Sequence, residues 1–280
     1  MQIDLLDVFA HGPLSGNPLA VVRGGEALDT AAMLALTRWL GFSETTFLLP
    51  PSDPAADYRV RIFYPAEELP FAGHPTLGSA AAWLAAGGVP KVAGTVVQDC
   101  GVGLVPVRVQ GEQLAFRAPP LRRTGPLSLE ERAEAIRVAG VDAAEVVAAV
   151  HAENGPPWEL LHLASAEAVL AADPVARAEG LVNVGLVGPH PPGGEAGWEV
   201  RAFFSNPRGG VEEDPVTGSF NAAAAQYLFG AGLAQGSYVA AQGQKVGADG
   251  RVQATQDAEG AVWIGGTVRM VAAGGALGLR

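Results

Sequence analysis

The sequence predicts an α+β fold of two similar halves, and three observations carry that expectation. Short β-like runs with turn punctuation recur along the chain, βαβ alternation is scarce, and one stretch nearly repeats itself. The repeat sets Arg61-Ile62-Phe63 and the following Gly73-His74-Pro75-Thr76-Leu77-Gly78-Ser79 against Arg201-Ala202-Phe203 and Glu213-Asp214-Pro215-Val216-Thr217-Gly218-Ser219, at a spacing of 140 residues without a gap. Arg61 falls on Arg201, Phe63 on Phe203, Pro75 on Pro215, Gly78 on Gly218 and Ser79 on Ser219. The same spacing sets His74 on Asp214. Each copy reads as strand, irregular loop, then an Ala-rich helix opened by a small-residue turn.

Taken in order, the β-like runs are Ile3–Phe9, Thr46–Leu49, Tyr58–Tyr64, Thr95–Gln98, Leu104–Val109 and Leu114–Arg117. They continue with Trp158–Leu163, Leu181–Val187, Trp198–Phe204, Tyr238–Gln242, Val252–Thr255, Val262–Gly265 and Thr267–Val271. Tyr58–Tyr64 and Trp198–Phe204 alternate as half-buried strands do. A helix is expected over Asp29–Leu40, where Asp29 is a cap signal and Gly41 a stop, and another over Thr76–Ala86, ended by Gly87-Gly88. Leu129–Val138 and Ala143–Val150 read as a helical pair, and Thr217–Phe229 as a helix ending at Gly230. One central helix per half amid many strands favours α+β over a doubly wound sheet. The Pro119-Pro120 pair marks the best domain junction, giving domains 1–119 and 120–280, with a return of the last ten or so residues to the first domain left open. The loop from His190 to Gly197 reads as an exposed hairpin connection, and Gly16-Asn17-Pro18 as a tight turn.

A chain of 280 residues with 49% apolar and 17% charged residues has ample core for two domains. Its net charge of −11 argues against nucleic-acid and anionic-membrane partners, which call for a basic face. The 18 Lys and Arg residues still leave room for a local anion site. A single cysteine, Cys100, rules out an intrachain disulfide and makes a reducing compartment the default. The N-terminus lacks a signal-peptide pattern, and no uncharged apolar run reaches the ~18 residues that span a bilayer. A cytoplasmic protein is expected.

Two helix N-termini opened by small residues are the first candidate site. Their first-turn N–H groups lack intrahelical partners and carry the positive end of the dipole, so facing one another across an interdomain cleft they would grip a carboxylate without Lys or Arg. Either stretch alone is also an ordinary N-cap. His74 facing Asp214 would be an acid/base arrangement, although a loop His is often structural and Asp before Pro is common turn chemistry. Glu44 enters an apolar strand, where burial would raise its pKa into the range of a proton shuttle, unless it faces water at an edge. His11, His151, His162 and His190 show no metal spacing, so no metal site is expected. Walker A, Gly-x-Ser-x-Gly and strand-linked Gly-x-Gly-x-x-Gly motifs are absent, and Cys100 has no activating neighbour.

These segments resemble the PhzF-like family of phenazine-biosynthesis isomerases, within the diaminopimelate-epimerase-like fold. The matching pieces are Asp7-Val8-Phe9 with Gly16-Asn17-Pro18, Ser43-Glu44-Thr45-Thr46-Phe47, Arg61-Ile62-Phe63 leading to Gly73-His74-Pro75-Thr76, Glu213-Asp214-Pro215 with Thr217-Gly218-Ser219, Gln242-Gly243, and Trp263 through Val268. The resemblance implies two pseudo-twofold-related domains, each a β-structure wrapped around a central helix. It also implies a cofactor-free isomerase, forming a homodimer and acting by general acid/base transfer on a small carboxylate-bearing metabolite. Carried over position by position, Glu44, His74 and Asp214 are catalytic and Ser219 joins them at the site; Asn17, Ser43, Gly73, Gly218 and Ser219 are expected to bind substrate, with a turn-only role for Asn17 as the alternative. A two-thiol racemase mechanism is excluded, since the one Cys lies outside both motifs. A hydrolase or lyase using Glu44 on water, and a non-catalytic small-ligand-binding protein, stay open as alternatives. Phe220-Asn221 departs from the smaller residues expected after Ser219, and Phe220 is expected to narrow the cleft or reach toward the substrate.

Overall fold

The computed structural model describes residues 1–206 and 208–278. The chain divides into two compact units, Met1–Arg117 with Gly265–Arg280, and Ala118–Ile264.

The first unit contains β1 (Gln2–Val8), β2 (Asn17–Arg23), α1 (Thr30–Leu40), β3 (Thr45–Leu49), β4 (Tyr58–Phe63), β5 (Glu68–Leu69), α2 (Gly73–Ala85), β6 (Thr95–Cys100), β7 (Gly103–Gln110) and β8 (Gln113–Arg117). The second contains α3 (Leu129–Ala139), β9 (Val146–His151), β10 (Glu159–Leu163), α4 (Ala166–Ala171), β11 (Asn183–Pro189), β12 (Trp198–Ser205), β13 (Val211–Glu213), α5 (Gly218–Gly230), β14 (Ser237–Gln242) and β15 (Gly250–Gln256). The last strand, β16 (Val262–Ala276), starts in the second unit and has its greater part in the first.

In the first unit the strand order is β1-β2-β3-β4-β6-β7-β8. β16 lies beside β8 and pairs antiparallel with β1, with Val8 opposite Val268, so the sheet closes on itself. Helix α2 runs inside that ring, touching β1, β2, β3, β4, β6, β7 and β8. The second unit repeats the connection pattern: β9-β10 antiparallel, β10-β11 parallel, β11-β12 antiparallel, β12-β14 parallel, β14-β15 antiparallel. This is the series seen in β1-β2, β2-β3, β3-β4, β4-β6 and β6-β7. The α+β class and the two halves built alike are therefore as the sequence predicts.

In each unit the sheet's other face carries helices. Met33 and Leu36 of α1 pack on Val22, Phe47 and Phe63. Ala135 and Val138 of α3 and Val169 of α4 pack on Leu161, Val184, Leu186 and Phe203. The repeated Arg/Phe pair belongs to these faces. Arg61 lies 5.0 Å over the Phe63 ring, binds Glu68, and donates to Thr30 Oγ1 at the start of α1. Arg201 lies 5.0 Å over Phe203, binds Glu213, and donates to Val169 O and Ala172 O at the end of α4. Both arginines anchor an outer helix.

Several elements differ from expectation. Ala143–Val150 is a short 3₁₀ turn, Ala143–Glu145, followed by β9, because Leu161 opposite Ala149 and Leu160 opposite Val150 draw the Val-rich run into the sheet. Asn17–Arg23 is a strand that the turn signal masked; Pro18 sits opposite Asp7 as its second residue. β16 is one strand rather than two. A Cβ on Gly265 would fall 2.5 Å from Leu114 O, so that glycine marks close strand approach, not a break. Helix α1 is capped as predicted, Asp29 accepting from Ala32 N and Gly41 adopting φ 75°. The 190–197 segment is a hairpin connection, closed by His190 N donating to Gly197 O. Among the described residues no helix is long and apolar enough to cross a membrane.

Candidate functional site

The first unit gathers Asn17, Ser43, Glu44, Gly73 and His74. Asp7, buried at the end of β1, accepts from Ser15 N at 3.0 Å and Gly16 N at 2.7 Å. Only glycine fits at 16, because a Cβ there would lie 2.1 Å from Val8 O. That loop delivers Asn17, fully buried, with its Oδ1 3.4 Å from Ser43 Oγ. Asn17, expected to bind substrate, is thereby placed beside Ser43. Past Gly41 the chain turns through Ser43 and Glu44 into β3, which lies parallel to β2.

Helix α2 starts at Gly73, three residues before the expected Thr76, so His74 is its second residue and not a loop residue. Ser79 Oγ donates to Thr46 Oγ1 at 2.9 Å, and Gln98 Nε2 donates to Thr76 Oγ1 at 3.0 Å while its Oε1 accepts from Tyr58 OH. The first bond ties α2 to β3, two residues beyond Glu44, and the second ties it to β6. They hold His74 Nε2 3.5 Å from Glu44 Oε2, both side chains largely buried. His74 Nε2 makes no hydrogen bond among the described residues. Burial pushes the imidazole pKa down to about 3, so at neutral pH it is uncharged. Its position beside the positive end of α2 opposes protonation further. A carboxyl group beside a neutral imidazole can accept, hold and return one proton.

The second unit gathers Asp214, Gly218 and Ser219. Asp214 N donates to Ala202 O, and Asp214 Oδ2 accepts from Thr217 Oγ1 at 2.7 Å. Thr217 caps α5, Gly218 and Ser219 are its first two residues, and the first intrahelical bond runs from Asn221 N to Thr217 O. The earlier N–H groups therefore lack intrahelical partners. Ser219 is held twice: Trp158 Nε1 donates to its Oγ at 3.1 Å and Asn154 Nδ2 to its O at 2.8 Å. Sequence reasoning missed both partners. Asn154 and Trp158 flank a Gly-Pro-Pro turn with no periodic signal.

Three expectations are corrected. The gapless repeat paired His74 with Asp214, yet α2 starts 12 residues after Arg61 (73 − 61) and α5 starts 17 after Arg201 (218 − 201). Counted from the helix starts, His74 matches Ser219. Gly78 and Ser79, expected at a helix opening, lie in the second turn of α2, packed on Leu19 and Thr46. Phe220, expected to narrow a cleft or reach toward the substrate, is instead a packing residue. It is fully buried, tilted against Trp158 at 5.1 Å, and fills the space a Cβ on Gly185 would occupy at 2.0 Å. Cys100 is buried, which raises its thiol pKa and suits it to packing. Among the described residues no group of three or more His, Cys, Asp or Glu side chains is placed to hold a metal ion.

Comparison with known proteins agrees with this framework. The family model described as phenazine biosynthesis-like protein matches residues 6–274. The chain is 32% identical over 237 residues to "Antisense-enhancing sequence 1" of Schizosaccharomyces pombe, covering 80% of this chain and 78% of that one. It is 32% identical over 222 residues to a trans-2,3-dihydro-3-hydroxyanthranilate isomerase of Pseudomonas aeruginosa, covering 77% and 75%. A solved Pseudomonas aeruginosa structure described as a predicted epimerase superposes with a TM-score of 0.78 at 32% identity, covering 99% of each chain. With the family model matched across nearly its whole length, the chain belongs to the phenazine biosynthesis-like family, which includes isomerases.

Proposed function

We propose that this protein is a cofactor-independent isomerase that relocates a proton on a small carboxylate-bearing metabolite. The observation that carries the reading is the buried pair at the opening of α2, His74 Nε2 at 3.5 Å from Glu44 Oε2. Glu44 takes a proton from one carbon of the substrate and returns it to another, so the product has the mass of the substrate. His74, neutral, keeps a counter-charge away from Glu44 and orients the substrate. The N–H groups without intrahelical partners that open α2 at Gly73 suit a carboxylate, as do those that open α5 at Gly218-Ser219. Ser43 and Asp214 orient the rest of the substrate. The Pseudomonas isomerase points to trans-2,3-dihydro-3-hydroxyanthranilate as the first compound to try. A homodimer in the cytoplasm belongs to the same reading.

The test is turnover of that compound in D₂O, followed by absorbance and mass, with Glu44→Gln alongside. An isomer is expected, carrying one deuterium where the proton on Glu44 exchanges with solvent before its return and none where it does not, with the rate falling ~10²–10⁴-fold in the variant, the usual contribution of a positioned acid/base. An undiminished rate in Glu44→Gln overturns the assignment of the base. A hydrated or cleaved product replaces the isomerase with a hydrolase or lyase. A second reading, a binding protein that has kept the fold, is favoured by the fission-yeast relative, whose name records an effect on antisense and not a reaction. Binding of carboxylates without conversion of any of them would select it.

A further inference from the structure

Gln242, the last residue of β14, is fully buried and makes four hydrogen bonds around the start of α5. Its Oε1 accepts from Thr217 N at 3.0 Å and from Asn221 Nδ2 at 2.8 Å. Its Nε2 donates to Thr217 Oγ1 at 2.9 Å and to Asp214 O at 3.2 Å. The arrangement has only one sense. Thr217 N is a backbone amide and can only donate, so the Gln242 atom facing it must be the oxygen. The other atom is then the NH₂ group, and Thr217 Oγ1 must accept from it. The single hydroxyl proton of Thr217 is thereby committed to Asp214 Oδ2, 2.7 Å away. Gly243 completes the device with φ 103°. A Cβ there would lie 2.5 Å from Pro215 O, so only glycine lets β14 end so close to the Asp214-Pro215 turn.

We propose that Gln242 and Thr217 are positioning residues for Asp214, a relay that fixes the plane of its carboxylate by holding one oxygen as an acceptor. The proposal rests on the reading above, in which Asp214 orients the substrate. The first unit uses the same device without a carboxylate: Gln98 bonds Thr76 near the start of α2 and takes its second partner from Tyr58. In the second unit the relay ends on a charged group, where a hydrogen bond is worth more than between neutral partners.

The experiment compares Thr217→Val, which keeps the shape and removes the hydroxyl, with Thr217→Ser, which keeps the hydroxyl, each alone and combined with Asp214→Ala. Steady-state rates are measured on the compound the wild-type protein turns over, and thermal melts report folding. Thr217→Val is expected to lower kcat/KM about 10- to 100-fold, most of it in kcat, as for loss of one hydrogen bond to a charged group. Thr217→Ser should restore the rate to within about threefold. In the Asp214→Ala background Thr217→Val should add almost nothing, because its effect passes through that carboxylate. If Asp214→Ala lowers the rate and Thr217→Val does not, or if the Thr217→Val loss is undiminished without Asp214, the relay is overturned. If Asp214→Ala itself leaves the rate unchanged, the role given to Asp214 fails, and the relay with it. Gln242→Glu, which loses the donor to Thr217, should fall in the same direction as Thr217→Val, and wild-type turnover in a folded Gln242→Glu protein would contradict the proposal.

Discussion

Helices α2 and α5 hold the same place in two units of like connectivity, and their N-termini differ in kind. The second residue of α2 is His74, buried, uncharged and beside Glu44. The second residue of α5 is Ser219, gripped by Trp158 and Asn154, with Asp214 four residues ahead of the helix. In the proposed reading the first end moves a proton and the second holds a shape. The two units share the Arg/Phe anchors and a strand Gln beneath the helix start. They differ in the side chains at the first turn.

The largest test of that division concerns the anchors. Arg201 and Glu213 are almost completely buried, at 5% and 7% exposure, whereas Arg61 and Glu68 are 17% and 39% exposed. Glu213→Gln strands a buried guanidinium and should cost about 3–5 kcal/mol. Glu68→Gln should cost no more than about 1 kcal/mol, because water screens the pair and solvates the remaining arginine. Urea titrations of the two variants measure both. Equal losses would mean that burial does not separate the anchors.

Packing gives the next contrast. A Cβ on Gly185 would meet the Phe220 ring at 2.0 and 2.1 Å, and that ring is fully enclosed. On Gly78 it would meet Leu19 Cδ2 at 2.4 Å, the end of a side chain that can turn. Gly185→Ala should therefore lose about 1–3 kcal/mol, the usual cost of overpacking, and Gly78→Ala clearly less. The reverse order in thermal melts would show that α2, inside its closed ring of strands, yields less than α5.

Much of this was legible in the chain. Asp29 and Gly41 bound α1 because caps are local chemistry, and the alternating runs at Tyr58 and Trp198 became β4 and β12 because period two is a surface pattern. Glu44 and His74 stood out as residue types in unusual company. Their distance did not, since it depends on Ser79 reaching Thr46 and on Gln98 reaching Thr76, bonds spanning 33 and 22 residues. The gapless repeat misled at its far end. Arg61 and Arg201 align, but a loop five residues longer before α5 slides every later match, and nothing local to either loop records where its helix begins. Phe220 looked like a cleft residue because its partners, Gly185 and Trp158, are remote in sequence. Ala143–Val150 read as helix because alanine suits one, whereas pairing with β10 decided the outcome.

The titration of His74 sharpens the contrast from the first unit's side. Its pKa is near 6.5 in an unfolded chain and about 3 in the fold. Between those values the unfolded chain binds more protons, so stability rises with pH there. The contribution is complete above about pH 6.5 and is lost as pH falls toward 3, with a slope of at most about 1.4 kcal/mol per pH unit. Other carboxylates titrate in part of this window, so the informative quantity is the difference between wild type and His74→Gln. That difference should hold steady above pH 7 and move against the wild type between pH 6 and pH 5. Parallel curves would mean the imidazole accepts a proton within the fold and is not the neutral partner proposed for Glu44.

The smallest expected effect probes the second unit's end. Trp158→Phe keeps a ring against Phe220, whose centroid lies 5.1 Å away, and removes the N–H that reaches Ser219 Oγ together with part of the indole's packing volume. With that donor in place, the hydroxyl's lone pair toward Trp158 is occupied and its proton is turned elsewhere, available to a ligand oxygen. Without it the hydroxyl rotates freely and must be ordered on binding. One neutral hydrogen bond is worth about 1 kcal/mol, so KM should rise about three- to tenfold while kcat changes little. Ser219→Ala sets the limit of that effect. If Ser219→Ala raises KM and Trp158→Phe does not, the indole only packs. If both variants depress kcat and spare KM, Ser219 takes part in the proton transfer, and the second helix end shares the chemistry assigned to the first.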